Sequence, residues 1–286
     1  MGRKRKTFFG QSAVMNSIVY QYYIRRLTEL AVSSFEYTNM PDTVDIAYME
    51  RQLFFQGSAI FFRDDVTGDY LCLKNTFSGD FNVTGIPNKR VAMGENGYNN
   101  PLDTTNSIII YNNMLRTNSF PDMEMFAMRL SNIDRSIDVN VNAQKTPVMV
   151  LSNEQQRLTM LNLFKEVDGN SPVIFGDKNL DLNAIKGLNI GAPFVADKLY
   201  NLKSQIWNEA LTYLGISNTN IQKKERMVSD EVNRNQGGTI ASRFSRLESR
   251  RFAFKQINEM YGLNIEVNYR DLNENENISN GGVWDE

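Results

Sequence analysis

The chain has 286 residues, enough for one large or two ordinary domains, and its 17 Phe, 12 Tyr and 41% hydrophobic content exclude a disordered polymer. Its 31 basic and 33 acidic side chains leave a formal charge of −2, so no global basic field marks a nucleic-acid binder and any such contact has to be local. There is no histidine and one cysteine, Cys72, which removes imidazole bases and ligands, Ser-His and Cys-His nucleophile pairs, intrachain disulfides and thiolate zinc clusters.

Residues 1–11 read as a basic arm. Arg3, Lys4, Arg5 and Lys6 are four consecutive cations, able to meet a polyanion and equally suited to a solvated tail. The start resembles a signal n-region in charge, but Gln11, Ser12, Asn16, Ser17 and Gln21 interrupt the apolar run, so neither a secretory segment nor a membrane span is expected. From Ser12 to about Tyr37 the spacing of Val14, Ile18, Tyr22, Leu27 and Leu30 predicts a helix, broken by NMPDT at 39–43.

Between 53 and 120 the period shortens. The runs SAIFFRDD, DYLCLKN, KRVAM and NSIIIYNN, separated by Gly- and Asn-bearing turns, predict a small sheet or barrel. Cys72 falls inside one of these runs and reads as a buried strand residue. Asp64 to Asp69 lacks the ligand spacing and closing glutamate of an EF-hand, so a hairpin turn is expected there.

Helical spacing returns between Pro121 and Gln144, where Phe126, Leu130, Ile133, Ile137 and Val141 share a face. Asp122 and Glu124 stand in the first turn, favoured by the helix dipole, and Pro147 closes the element. Residues 147–192 read as strand, helix, strand (PVMVLS, EQQRLTMLNLFKEV, SPVIFGD). No Gly-x-x-x-x-Gly-Lys-Ser/Thr occurs anywhere in the chain, and Glu166, Asp177 and Asp181 are the only weak candidates for magnesium.

From Phe194 to Leu214 a second long helix is predicted, with Val195, Leu199, Leu202, Ile206, Ala210 and Tyr213 on one face, widened by Trp207, Leu211 and Leu214. Pro193 suits its start and Gly215 its stop. Lys203 falls inside the apolar arc. The opposite face carries Asp197, Asn201, Ser204, Gln205 and Asn208, with Lys198 and Glu209 at its edge, and lacks the Glu/Lys pairs usual on a water-facing helix. An ordinary core helix fits the apolar pattern; the nearly uncharged polar face fits a helix packed on both flanks and turned toward a lumen. A loop over 216–238 bears Lys223 and Lys224. Thr239 to Tyr261 is then a helix crowded with Arg243, Arg246, Arg250, Arg251 and Lys255, read as intrahelical or inter-subunit pairing partners. LNIEVNYR is a final strand, and 271–286 a polar tail.

Five segments in this order, NAQKTPV (142–148), SPVIFGD (171–177), APFVADKLYNLKSQIWNEALTYLGI (192–216), KKERMVSDEV (223–232) and INEMYGLNIEV (257–267), resemble the upper collar, or head–tail connector, proteins of phi29-like podoviruses. The resemblance implies an α+β portal-protein fold that forms a ring, twelvefold in the family. Its parts would be a basic arm (1–11), an SH3-like β-rich wing (12–120), stem helices (121–146 and 193–215), an α/β clip (147–192), a channel loop (216–238), a return helix with terminal strand (239–270) and a tail (271–286).

It also implies passage of double-stranded DNA without catalysis, cofactor or metal. Lys198 matches a channel lysine of the family, and Lys223 with Lys224 the pair in its channel loop. Asn189 stands where the family type has a further lysine, with Lys186 three residues earlier as a candidate replacement. Arg3, Lys4, Arg5 and Lys6 match the arm that contacts packaging RNA. Implied partners are further copies of the chain, a packaging ATPase, capsid and scaffolding proteins, and lower collar or tail proteins, in the virion and, during assembly, the host cytoplasm. Two other readings compete: another collar or adaptor protein of the same virion, and a magnesium-dependent nuclease.

Overall fold

In the computed structural model, backbone is described for residues 8–144, 148–150, 185–187, 193–216 and 229–270, and side-chain environments within 17–142, 193–216 and 237–270. The described elements run α1 (Phe8–Val32), β1 (Phe35–Thr38), α2 (Ile46–Gln56), β2 (Ser58–Arg63), β3 (Tyr70–Phe77), β4 (Lys89–Met93), β5 (Asn99–Asp103), β6 (Ser107–Tyr111) and α3 (Phe120–Gln144). After these come β7 (Val148–Val150), β8 (Ile185–Gly187), α4 (Ala196–Leu214), α5 (Ser229–Tyr261) and β9 (Glu266–Tyr269). The chain divides into two compact units, one of residues 1–131 with 204–286 and one of residues 132–203.

The first unit is built on a five-stranded antiparallel sheet ordered β5-β4-β3-β2-β6. Strand β2 is buried on both faces. Ala59 and Phe61 point into a core with Cys72, Ile108, Ile110, Met49, Leu53, Phe254 and Ile257, while Ile60 and Phe62 point the other way, into a second core with Ala92 and Leu102. A strand buried on both faces reads as an unbroken apolar run, as SAIFF does. The edge strand β5 carries Pro101 opposite Val91, a residue tolerated there because it has no N–H to give a ladder. The predicted turn at Asp64 is present: its backbone N–H donates to Asp69 O at 2.8 Å, and its carboxylate accepts from Thr67 N at 3.0 Å.

Several elements depart from the sequence reading, two of them around the first helix. The first helix ends at Val32, and FEYT, read as its last turn, is strand β1, paired antiparallel with β9 from Phe35↔Tyr269 to Thr38↔Glu266. The predicted final strand is thus present, and its partner was hidden in a run too short for a period. Helix α2 was also missed, although its stop signals are strong: Asp45 Oδ1 accepts Tyr48 N at 3.0 Å, and Gly57 ends the helix at φ +84°. A Cβ on Gly57 would stand 2.8 Å from Asn118 N, so glycine is required twice over.

In the second unit, β7 pairs antiparallel with β8, Met149 opposite Lys186. Strand β8 lies in a stretch not read as a strand. The helix predicted over 154–167 and the strand over 171–177 lie outside the described residues, as do Glu166, Asp177, Asp181 and Asn189. Within this unit Asn140 clamps the approach to α4, donating to Pro193 O at 2.9 Å and accepting from Val195 N at 3.0 Å.

Candidate functional site

Helix α4 buries Ala196, Ile206, Ala210 and Leu214 and half-buries Leu199, Trp207, Leu211 and Tyr213, close to the predicted apolar arc. Leu202 is the exception, 43% exposed, and Phe194 and Tyr200 also face outward. In the second unit the exposed polar residues are Asp197, Lys198 and Asn201; in the first they are Gln205 and Glu209, with Ser204 and Asn208 half-buried. The polar face is therefore real, and partly covered at Ser204 and Asn208.

Charges beside this face are paired off within the chain. Lys203 Nζ lies 2.6 Å from Asp134 Oδ1, both three-quarters shielded from water, so the lysine that interrupts the apolar arc meets a carboxylate of α3. Glu209 pairs with Arg129 at 3.3 Å. Tyr213 donates to Asp122 Oδ2 at 2.5 Å, and burial first, then this bond, raises the phenol above its ordinary pKa. Lys198 remains an exposed cation on α4. Lys186 sits on β8, and its side chain lies outside the described residues. Lys223, Lys224 and Arg3, Lys4, Arg5 and Lys6 also lie outside them. The predicted loop over 216–238 is shorter than read, because α5 is already helical from Ser229.

The arginines of α5 do something the sequence reading missed. Arg250 is 1% exposed and forks onto Glu50 of α2, Nε to Oε1 at 2.9 Å and Nη2 to Oε2 at 2.8 Å, while its Nη1 donates to Asn112 O at 2.8 Å. Burial alone lowers an arginine's pKa, but the Glu50 carboxylate outweighs it and Arg250 is held above its ordinary value. Tyr37 donates to the same carboxylate, and Phe35 lies under the guanidinium. Arg246 is also buried, over the ring of Tyr213 at 5.0 Å. Arg243 Nε donates to Gly215 O at 2.6 Å, and Tyr269 Oη to Leu214 O at 3.1 Å, so two donors satisfy the carbonyls at the end of α4. Arg251, 3.2 Å from Glu248, makes an intrahelical pair of the kind expected. The arginines bind their own fold, a role legible only once Glu50, two hundred residues away, is placed beside them.

Cys72 is buried, and burial pushes its thiol well above the usual range, as a structural cysteine requires. Among the described residues no group of three or more Cys, Asp or Glu converges as a metal site, and no helix is long and apolar enough to cross a membrane.

Residues 9–273 match the family model of the phage connector (GP10). The chain belongs to that family. It is accordingly a phage portal, or head–tail connector: a structural, non-enzymatic component of the virion at the portal vertex, in assembly with capsid and tail proteins. Its structure is similar to a chain in the portal and tail of native bacteriophage P68, with 17% identity, a TM-score of 0.53, and 98% of this chain and 99% of that one covered, which shows a shared fold. Likenesses at lower TM-score are to an HK97-family phage portal protein from Corynebacterium diphtheriae (13% identity, TM-score 0.39, covering 99% and 100%) and to a chain in the virion of a native gene transfer agent particle (12%, 0.42, covering 99% and 91%). The α+β portal-protein fold expected from the sequence is thus the one found, and the nuclease reading falls with the family.

Proposed function

We propose that this connector works as a closed homo-oligomeric ring, twelvefold by the resemblance, whose bore carries double-stranded DNA into the head during packaging and out at infection. The single observation that carries the reading is the outward polar side of α4. Asn201, Gln205, Asp197 and Lys198 are exposed there, while the neighbouring carboxylates Asp134 and Glu209 are matched by Lys203 and Arg129. The wall is left weakly charged. In this reading 12–120 is the wing, 121–146 and 193–215 are the stem, and 147–192 is the clip.

Weak charge suits passage. An exposed ion pair is worth about 0–1 kcal/mol, and a ring repeats each lysine once per subunit, so simultaneous tight engagement would sum to about 10 kcal/mol and hold the DNA fast. A few exchanging lysines on a neutral wall give contacts that release counterions and let go, as sliding requires. Lys198, Lys223, Lys224 and Lys186 are the lysines assigned to the channel. Arg3, Lys4, Arg5 and Lys6 are assigned to a packaging RNA or comparable polyanion. A separate packaging ATPase supplies the work, scaffolding protein guides assembly in the host cytoplasm, and a lower collar protein joins the tail end.

Electron microscopy of the purified chain tests the reading directly: closed rings with a central hole are expected, and a monomer at high concentration is the result against it. Photo-crosslinkers at Lys198 and Lys223 should capture DNA in filled particles. Rings without such capture would favour an adaptor that binds a portal without lining the bore.

A further inference from the structure

Helix α5 carries apolar residues on both sides, with Ala253, Phe254 and Ile257 of its inner side in the core. Arg246 and Arg250 are buried on its inner side, whereas Ile240, Phe244 and Phe252 on its outer side are 63%, 57% and 63% exposed. They fall on one arc of the helix, since four positions advance it by little more than a turn. Glu248 lies on the same arc, between Phe244 and Phe252. Helix α1 has a comparable outer stripe: Tyr23, Ile24 and Leu27 are buried inward, while Ile18 and Tyr22 are 55% and 48% exposed and lead to the exposed Arg25. Single exposed apolar residues need no explanation, but two ordered stripes do.

Their placement around α4 supplies one. Trp207 of α4 meets Tyr23 of α1, ring centroids 6.4 Å apart, and holds Arg26 over its face. Tyr213 of α4 meets Arg246 of α5, and Gly215 meets Arg243. Trp207 and Tyr213 stand on opposite margins of the buried arc of Ile206, Ala210 and Leu214, with the exposed Gln205 and Glu209 on the far side between those margins. So α1 lies on one side of α4, and α5 on the other together with α3, which meets Tyr213 through Asp122 and Glu209 through Arg129; the exposed Gln205 lies between the two sides.

We infer that the outer stripes of α5 and α1 are the two complementary lateral faces through which copies of this chain join, Ile240, Phe244 and Phe252 of one against Ile18 and Tyr22 of the next. A head-to-tail ring needs two different faces on each subunit, set on either side of the one that looks inward, and this subunit has that arrangement. Each stripe carries both signs, Glu248 with Arg251 on α5 and Arg25 with Glu29 on α1, so the two can meet with opposite charges facing. The inference rests on the ring reading above and adds which surfaces close the ring.

The test uses two full-length variants, Phe244→Asp/Phe252→Asp and Ile18→Asp/Tyr22→Asp, sized by light scattering beside the wild type. Each variant alone should keep its circular dichroism and run as a monomer. Mixed in equal amounts they should form a one-to-one dimer and stop there, because each supplies the one face the other has lost. That dimer also certifies that both variants are folded. Rings from either variant alone, or a mixture that stays monomeric while the wild type closes rings, overturns this assignment and leaves the ring reading standing. A wild type that stays monomeric overturns both.

Discussion

Helices α4 and α5 are neighbours in one fold and differ in what stands beside their buried apolar residues and in what they show outside. Helix α4 hides Ile206, Ala210 and Leu214 and shows Asn201 and Gln205, while α5 hides Arg246 and Arg250 and shows Phe244 and Phe252. The first is held by apolar burial. The second is held by the same kind of burial, of Ala253, Phe254 and Ile257, and in addition by a guanidinium whose charge is cancelled and whose hydrogen bonds are filled by Glu50 and Asn112. Periodicity therefore reads α4 directly, whereas on α5 apolar residues on both sides blur the period and the arginines draw the eye away from its inner side.

The largest break in this comparison should come at Glu50. Glu50→Ala strands Arg250 without a carboxylate in a dry core and should cost about 3–5 kcal/mol in urea unfolding, whereas Glu50→Leu with Arg250→Met should come out far closer to wild type. On the α4 side Ile206→Ala, 3% exposed in the parent, should cost about 2–5 kcal/mol by loss of packing alone. Tyr213→Phe, which removes the bond to Asp122, should cost about 1.5–3 kcal/mol.

Alkali sharpens the same contrast. Burial first, then the Glu50 charge, raises the Tyr37 phenol well above 10.0. Its contribution is complete below the unfolded value and is lost as pH rises toward the folded one, because the unfolded chain gives up that proton first. Stability should fall above about pH 10 by up to about 1.4 kcal/mol per pH unit from this group, with a shallower slope in Tyr37→Phe. The smallest effect is expected on the outer side of α5. Phe252→Ser, measured below the concentration at which copies associate, should stay within about 0.5 kcal/mol of the parent.

Much of this was legible in advance. KRVAM is β4 to the residue, SAIFFRDD runs two residues past the end of β2, and Pro121 to Gln144 needs one residue more to be α3. The polar side of α4 was legible because Asn201, Gln205 and Asn208 recur at helical spacing with no Glu/Lys pair at four-residue spacing among them. Strand β1 was not, since four residues pair with a segment more than two hundred positions away and carry no local signal. Helix α2 had a signal, Asp45 before and Gly57 after Met49 and Leu53, that reads cleanly once both caps are weighed together. Lys203 looked like an intrusion in an apolar arc until Asp134 gave it a partner from another helix.

Pro101 bears on how such a protein lives among its own kind. A β-rich module held in close ranks beside identical modules is under standing temptation to knit edge to edge into a single fabric. A terminal strand with a missing donor offers the incoming chain a broken row of stitches, which works against that fusion along this edge.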